Sequence, residues 1–202
     1  MKICIYGVGV IGGILAGALA RTEHQLCAIG RGPHLDAVRR NGLTVRKPGG
    51  ESYMARFPAS AEPRDFGVQD LVIIATKQPA LTEVARAIAP LLGPHTLVGC
   101  AVNGVFWFYG DGFTPGGRRL DVSRLDPAGE LRRVIGPERA LGLVAWHGGE
   151  IVEPGVLETS RDISKFSIGA AMAKTEARSR SAAAALAQAA KDLVIEASDD
   201  IR

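Results

Sequence analysis

Short apolar runs alternate with segments of helical character along most of this chain. Lys2–Tyr6, Asp70–Ala75 and Thr96–Val102 are nearly continuous apolar runs, which are typical of central strands that are buried on both faces of a parallel sheet. Between them, Ile11–Arg21 is rich in Ala and Leu, and Pro79–Leu92 opens with a proline and ends before Gly93-Pro94. The alternation predicts a doubly wound α/β sheet.

The same pattern predicts further elements along the chain. Helices are predicted at Asp36–Asn41, Ala128–Val134 and Arg178–Lys191, and a surface excursion over Phe106–Gly117. Strands are predicted at Leu43–Lys47, Ser52–Phe57, Ala140–Trp146, Val156–Glu158, Lys165–Ile168 and Leu193–Glu196.

The first apolar stretch, Ile3–Ala20, carries no charge and has three competing interpretations. A secretory signal or a membrane span would account for its hydrophobicity. Its five glycines weaken the interpretation as a membrane helix, and three of them are spaced G-x-G-x-x-G between a predicted strand and a predicted helix. That context favours a dinucleotide-binding turn and a Rossmann-like fold.

The physical roles of the three glycines follow from the turn. Gly7 permits a tight strand-to-helix turn, Gly9 lets a pyrophosphate approach the backbone, and Gly12 lets the helix pack close to the strand. The helix N-terminus offers unpaired N–H groups and a positive dipole end to the phosphates. We therefore expect a dinucleotide against the turn, formed by Gly7-Val8-Gly9-Val10-Ile11-Gly12.

The predicted second strand, His24–Ile29, indicates which dinucleotide is bound. NAD-binding domains place an acidic residue near this strand's end to bind the ribose hydroxyls. Here the strand is followed by Gly30-Arg31-Gly32, and Asp36 comes only later. A guanidinium suits a 2′-phosphate, so Arg31 favours NADP(H) over NAD. The missing carboxylate also argues against a methyltransferase, which would need one for its ribose. The alternative is a solvated turn arginine.

Polar residues follow three other predicted strands, where ligands of open α/β sheets bind. Lys77 can meet a phosphate or a carboxylate, although a solvated lysine is an equal alternative. Asn103 can orient a ribose or donate to a carbonyl, and its alternative is a turn residue in Asn-Gly. His147 is a weaker catalytic candidate because no acidic partner stands at motif spacing.

Composition narrows the function classes. The chain has 202 residues, 47% of them hydrophobic, with a net charge of +3 and only 5% aromatic residues, so neither a charged nucleic-acid groove nor a stacking platform is expected. Three widely spaced cysteines predict neither a disulfide framework nor a metal site, and they fit a reducing cytoplasm.

Taken together, these residues resemble the ketopantoate reductase (2-dehydropantoate 2-reductase) family over the whole chain. The landmarks of the resemblance are Met1–Gly13, Ile29–Gly32, Ala75–Lys77, Asn103–Val105, Val152–Gly155 and Ser198–Arg202. The resemblance implies NADPH-dependent reduction of a 2-oxo acid. It assigns Gly7–Gly12 and Arg31 to the cofactor, Lys77 to the cofactor side of the cleft, Asn103 to cofactor and substrate, and Gly148 to a backbone contact with the cofactor.

The chain also departs from the family pattern. Phe106-Trp107-Phe108 stands where relatives often have Pro-Trp-Trp, which leaves the favoured 2-oxo acid open. The family's catalytic lysine lies in a helical domain that follows the segment ending at Arg202. We therefore expect residues 1–197 to form the NADP-binding domain, residues 198–202 to begin a linker, and no catalytic residue within the chain.

Several alternatives stay open at this point. The chain is either a fragment or a natural truncation of such an enzyme. It could instead be a non-enzymatic dinucleotide-binding module, or a related hydroxyacid dehydrogenase with another substrate. A homodimer is compatible with the resemblance, whereas a nucleic acid or a membrane is not an expected partner.

Overall fold

The computed structural model describes residues 1–109, 121–146, 148–172, 175–187 and 193–198. Within them, the predicted α/β architecture is confirmed. One sheet has eight strands in the order β12-β11-β8-β7-β6-β1-β2-β5, and a second has four in the order β4-β3-β10-β9. The strands are β1 Lys2–Tyr6, β2 Gln25–Ile29, β3 Leu43–Arg46, β4 Ser52–Ala55, β5 Ala59–Ser60, β6 Leu71–Ile74, β7 Leu97–Cys100, β8 Ala140–Ala145, β9 Gly149–Glu153, β10 Val156–Thr159, β11 Ser164–Ala170 and β12 Leu193–Ala197.

Helices connect and cover the strands of the larger sheet. The α-helices in the described residues are α1 Val10–Leu19, α2 Gly32–Asn41, α3 Leu81–Ala87, α4 Glu130–Val134 and α5 Glu176–Ala187. The strands β5, β2, β1, β6, β7 and β8 are mutually parallel, and β11 then pairs antiparallel with β8. The large sheet is therefore mostly parallel, as predicted.

The central strands are apolar throughout because both faces of the sheet are covered. Along β1, Ile3 and Ile5 enter one core cluster, and Cys4 and Tyr6 enter the other. All four side chains are at most 9% exposed. Burial on both sides removes the alternation of polar and apolar residues that a half-exposed strand would show.

The second sheet packs on the outer side of α1. An added Cβ at Gly13 would lie 3.2 Å from Leu157 on β10, and one at Gly17 would lie 2.8 Å from Val45 on β3. The two glycines thus let α1 approach the small sheet closely. The apolar stretch Ile3–Ala20 consequently forms β1, the turn after it and α1, and α1 is enclosed between the two sheets.

Three details of the predicted elements are wrong. The expected helix Pro79–Leu92 is a 3₁₀ turn, the short α3 and a second 3₁₀ turn at Ala89–Leu91, because Pro90 has no N–H to continue a helix. Phe106, Trp107 and Phe108 are buried in the second core cluster rather than forming a surface excursion. The strands β5 and β9 are not predicted from the sequence. Residues 110–117, the rest of the predicted surface excursion, lie outside the described residues.

His34 on α2 connects the large sheet's helix layer to the small sheet. Its Nδ1 accepts a hydrogen bond of 3.1 Å from the N–H of Gly155, in the turn between β9 and β10. An accepting Nδ1 carries no proton, so the ring is neutral in this arrangement. Burial lowers the pKa of His34, and the backbone of Val8 opposes that shift.

We expect His34 to make the fold sensitive to mild acid. Its folded-state pKa lies below the unfolded value of about 6.5, so the unfolded chain takes up the proton first as the pH falls. The stability contribution is therefore complete above about pH 6.5 and is lost as the pH falls towards the folded-state pKa. His34→Asn keeps an acceptor for Gly155 but does not titrate. Urea unfolding between pH 8 and pH 5 should show a smaller loss of stability for this variant than for the parent, and equal losses would contradict the prediction.

Candidate functional site

The parallel strands bring the predicted site residues to one edge of the large sheet. The chain leaves β1 towards β2 on one side and later returns to β6 on the other side, so a crevice opens at this switch in strand order. We call the end of the sheet at which β1, β2, β6, β7 and β8 terminate the carboxyl edge. The residues that directly follow these strands are Gly7, Gly30, Ala75, Ala101 and Trp146.

The turn after β1 requires glycine at its first position. Gly7 has φ of +108°, a region that other residues rarely adopt. An added Cβ there would lie 2.9 Å from Cγ2 of Thr76 and 3.0 Å from the carbonyl of Ala75. The N–H of Gly7 donates to the carbonyl of Ile29 over 2.8 Å, which ties the turn to the neighbouring strand.

The other two glycines of the motif have opposite surroundings. A Cβ at Gly12 would lie 1.9 Å from the carbonyl oxygen of Gly7 and 3.0 Å from Ile5, so α1 packs directly on the turn and on β1. A Cβ at Gly9 would meet no atom within 4 Å. The space at Gly9 is therefore open to a ligand, whereas that at Gly12 is filled by the protein itself.

The N-terminus of α1 faces this open space with its backbone. Gly9 is the N-cap residue and makes no side-chain capping bond. The first N–H groups of any α-helix lack intrahelical partners, and together with the helix dipole they attract an anion. The side chain of Val8 is buried, and those of Val10 and Ile11 are partly buried against the first core cluster. The backbone of the turn at Gly9 is thus left open to contact a ligand.

Arg31 lies next to the turn, at the end of β2, as the N-cap residue of α2. Its Nη1 is 3.2 Å from one carboxylate oxygen of Glu83 and 3.5 Å from the other. Both side chains are more than 70% exposed, which makes this a surface ion pair. Glu83 belongs to the first turn of α3, and 52 residues separate it from Arg31. The sequence around the end of β2 therefore does not reveal this partner.

Lys77 and Asn103 lie exposed at the carboxyl edge, after β6 and β7. The carbonyl of Lys77 accepts the N–H of Ala80 in a 3₁₀ turn. The Oε1 atom of Gln78 lies 3.3 Å from the position that a Cβ at Gly104 would take, so the loops after the two strands touch. Gln78 is a site residue that the sequence analysis missed, although it directly follows Lys77 at a strand end.

The end of β8 completes the edge. Trp146 is 59% exposed, and its indole N–H donates to Ser167 over 2.8 Å. His147 lies outside the described residues. Gly148 donates its N–H to the hydroxyl of Ser160 and accepts the N–H of Ser160 at its carbonyl. Its predicted backbone contact with a cofactor stays a prediction, and it would use the second lone pair of this carbonyl.

The cysteines do not contribute a nucleophile at this edge. Burial raises the pKa of the Cys100 thiol to about 12, against a smaller opposite effect of Trp107. Cys4 and Cys27 are buried partners in the register of β1 and β2. The hydrogen bond with Cys27 raises the pKa of Cys4, and burial raises it further. The same hydrogen bond lowers the pKa of Cys27, although burial of Cys27 acts against this shift.

Among the described residues, no three or more His, Cys, Asp and Glu side chains are grouped so that they could hold a metal ion. None of the helices among them is both long and apolar enough to cross a bilayer.

Comparisons with known proteins agree on one family. The family described as ketopantoate reductase PanE/ApbA matches residues 3–172. The 2-dehydropantoate 2-reductase of Mesorhizobium japonicum is 42% identical over 174 residues, which make up 84% of this chain and 52% of that protein. The chain thus spans about half the length of this curated relative.

Solved structures show the same fold. A PanE/ApbA family ketopantoate reductase from Ralstonia eutropha superposes with a TM-score of 0.74 at 25% identity, covering 98% of this chain and 57% of that one. D-mandelate dehydrogenase, solved with NADH and anilino(oxo)acetate, superposes with a TM-score of 0.79 at 20% identity, covering 100% of this chain and 58% of that one. At 20% identity this second likeness concerns the fold alone.

The contrast between Gly9 and Gly12 predicts that the same substitution destabilises the protein at Gly12 and is nearly neutral at Gly9. Gly12→Ala should lower the free energy of unfolding by about 1–3 kcal/mol, because its methyl group overlaps the Gly7 carbonyl. This is a net loss, since the better helix propensity of alanine offsets only about 1 kcal/mol. Gly9→Ala should change stability by less than about 0.5 kcal/mol. Urea unfolding of both variants measures the difference, and equal stabilities would contradict the assigned packing.

Proposed function

The chain belongs to the ketopantoate reductase family, and on that premise we propose that it binds NADPH for the reduction of 2-dehydropantoate to pantoate in pantothenate biosynthesis. The family is one of oxidoreductases that act on a small keto acid. The preference for NADPH, the identity of the 2-oxo acid and a cytoplasmic location are parts of this proposal. Three buried free thiols fit the reducing compartment.

One observation supports cofactor binding above all: the open space at Gly9 lies where the N-terminus of α1 meets the turn after β1. A pyrophosphate there would be held by backbone N–H groups and by the helix dipole. The buried Val8 and the close contact at Gly12 fix the backbone around that space. The residues present therefore fit a dinucleotide.

The other residues of the carboxyl edge would bind the remaining parts of the cofactor and the keto acid. Arg31 lies beside the turn and would pair with the 2′-phosphate of the adenosine. Lys77 places an ammonium group on the cofactor side of the cleft, and Asn103 offers an amide that orients both the cofactor and the keto acid. The bound NADPH supplies a hydride, which leaves a negative charge on the former ketone oxygen that a proton donor must neutralise.

Direct titration with the two reduced cofactors tests this assignment. We expect the 202-residue chain to bind NADPH about tenfold to a hundredfold more tightly than NADH, the range of one charge-assisted phosphate contact. Gly9→Val should bind neither cofactor while remaining folded, because its side chain fills the pyrophosphate space. Calorimetry measures binding, and circular dichroism measures folding.

Arg31→Ala is the matched variant for specificity in the same titration. It should lose most of the preference for NADPH and keep its affinity for NADH. Normal NADPH binding by a folded Gly9→Val chain would contradict the phosphate site. Equal affinities of the parent chain for NADPH and NADH would contradict the role of Arg31.

Turnover provides a separate test, because we infer that the proton-donating lysine is not among residues 1–202. We expect the 202 residues to oxidise NADPH with 2-dehydropantoate about 10²–10⁴-fold more slowly than a chain that extends through that lysine. Absorbance at 340 nm follows the reaction, and other 2-oxo acids serve as comparison substrates. Comparable turnover by both chains would place the proton donor within residues 1–202, and Lys77 and His147 would then be mutated first.

A further inference from the structure

Glu83 supplies, at the end of β2, the carboxylate that the local sequence lacks. Both of its carboxylate oxygens lie within 3.5 Å of the same guanidinium nitrogen of Arg31. The pair links the N-terminus of α2 to the first turn of α3 across the carboxyl edge. The cation assigned to the 2′-phosphate is thus already engaged by a protein anion.

The space beside Arg31 is accessible to a phosphate. An added Cβ at Gly32 would meet nothing within 4 Å, and Arg31, as the N-cap residue of α2, makes no side-chain capping bond there. Both Arg31 and Glu83 are largely exposed, so neither is fixed by packing. A ligand can therefore approach Arg31 without displacing any buried group, but it must share Arg31 with Glu83.

Glu83 and Glu62 both lie close enough to the end of β1 to act on the Tyr6 phenol there. Burial is the largest cause of the raised pKa of the Tyr6 phenol at the end of β1, and Glu83 is the next, with Glu62 adding to it. Arg31 is the cation that opposes this shift. A phosphate monoester, which carries between one and two negative charges at neutral pH, meets repulsion from Glu83 in addition to attraction by Arg31.

We propose that Glu83 competes with the adenosine 2′-phosphate for Arg31 and thereby limits the preference of this chain for NADPH over NADH. This inference rests on the proposed function, because it presupposes that a dinucleotide binds at the carboxyl edge. Glu83 is a specificity-determining residue in this view. It acts through Arg31, and removing its charge strengthens the binding of the phosphorylated cofactor.

The experiment uses two probes that differ only in the group at issue, 2′,5′-ADP and 5′-AMP. Calorimetry at constant ionic strength measures their dissociation constants with the 202-residue chain. Glu83→Gln should bind 2′,5′-ADP about two- to fivefold more tightly than the parent, the range of an exposed ion pair, and 5′-AMP with unchanged affinity. Glu196→Gln is the matched control, since it removes one carboxylate from a pair with Lys165 in which both side chains are about half exposed.

A double-mutant cycle with Arg31→Ala separates competition from plain charge repulsion. If Glu83 acts chiefly through Arg31, the gain in 2′,5′-ADP affinity from Glu83→Gln is much smaller in the Arg31→Ala background than in the parent. An equal gain in that background would overturn the inference, because the effect would then be direct. Weaker binding of 2′,5′-ADP by Glu83→Gln would also overturn it, since Glu83 would then orient Arg31 for the phosphate.

The outcomes distinguish this inference from the function on which it rests. If the parent chain binds 2′,5′-ADP and 5′-AMP but Glu83→Gln leaves both dissociation constants unchanged, only the role of Glu83 is wrong. If the parent chain binds neither probe nor NADPH, the proposed function fails together with the inference. A gain for Glu196→Gln equal to that of Glu83→Gln would reduce the effect to net charge and overturn the specific role.

Discussion

The contact between Gly12 and the carbonyl of Gly7 is the constraint on which the rest of the molecule depends. Because no side chain separates them, α1 starts directly against the turn that ends β1. On its outer side, a Cβ at Gly13 would lie 3.2 Å from Leu157 and one at Gly17 would lie 2.8 Å from Val45, so side chains of the second sheet also approach closely. The helix is thus held between two sheets through its backbone, and its N-terminus has little freedom to shift.

This arrangement divides the proposed cofactor site into a rigid part and an adjustable part. The phosphate cradle consists of main chain whose position is determined by packing around Val8 and Gly12. The end that would discriminate between cofactors consists of the exposed side chains Arg31 and Glu83, which face each other across two helix starts. Binding can therefore be retained while specificity changes by single surface substitutions.

The sequence predicted the parts of the fold whose signal is local. The runs at β1, β6 and β7 are apolar because both sheet faces bury them, and the G-x-G-x-x-G motif located the turn. The strand β9 was missed because it is an exposed edge without apolar alternation. Its partner β10 also pairs in parallel with β3, more than a hundred residues away, and no local pattern encodes that register.

The candidate site, like the fold, could be predicted from the sequence only where the signal is local. Residues at strand ends were found because parallel topology gathers strand ends at one edge. Glu83 is not predicted because its partner Arg31 comes from another element of the chain. Gln78 is not predicted because its contact with the loop at Gly104 depends on how two strand ends are brought together. The aromatic residues Phe106–Phe108 were assigned to the surface because the glycine-rich stretch that follows them dominated the pattern.

The enclosure of α1 by the small sheet has a consequence for how the protein forms during its synthesis. Gly13 packs against Leu157 of β10, which leaves the ribosome 144 residues later. At translation rates of about 5–20 residues per second, that interval is on the order of ten seconds. For that time the part of α1 around Gly13 lacks its cover from β10, so the nascent chain exposes a hydrophobic surface there that a chaperone at the ribosome would be suited to shield.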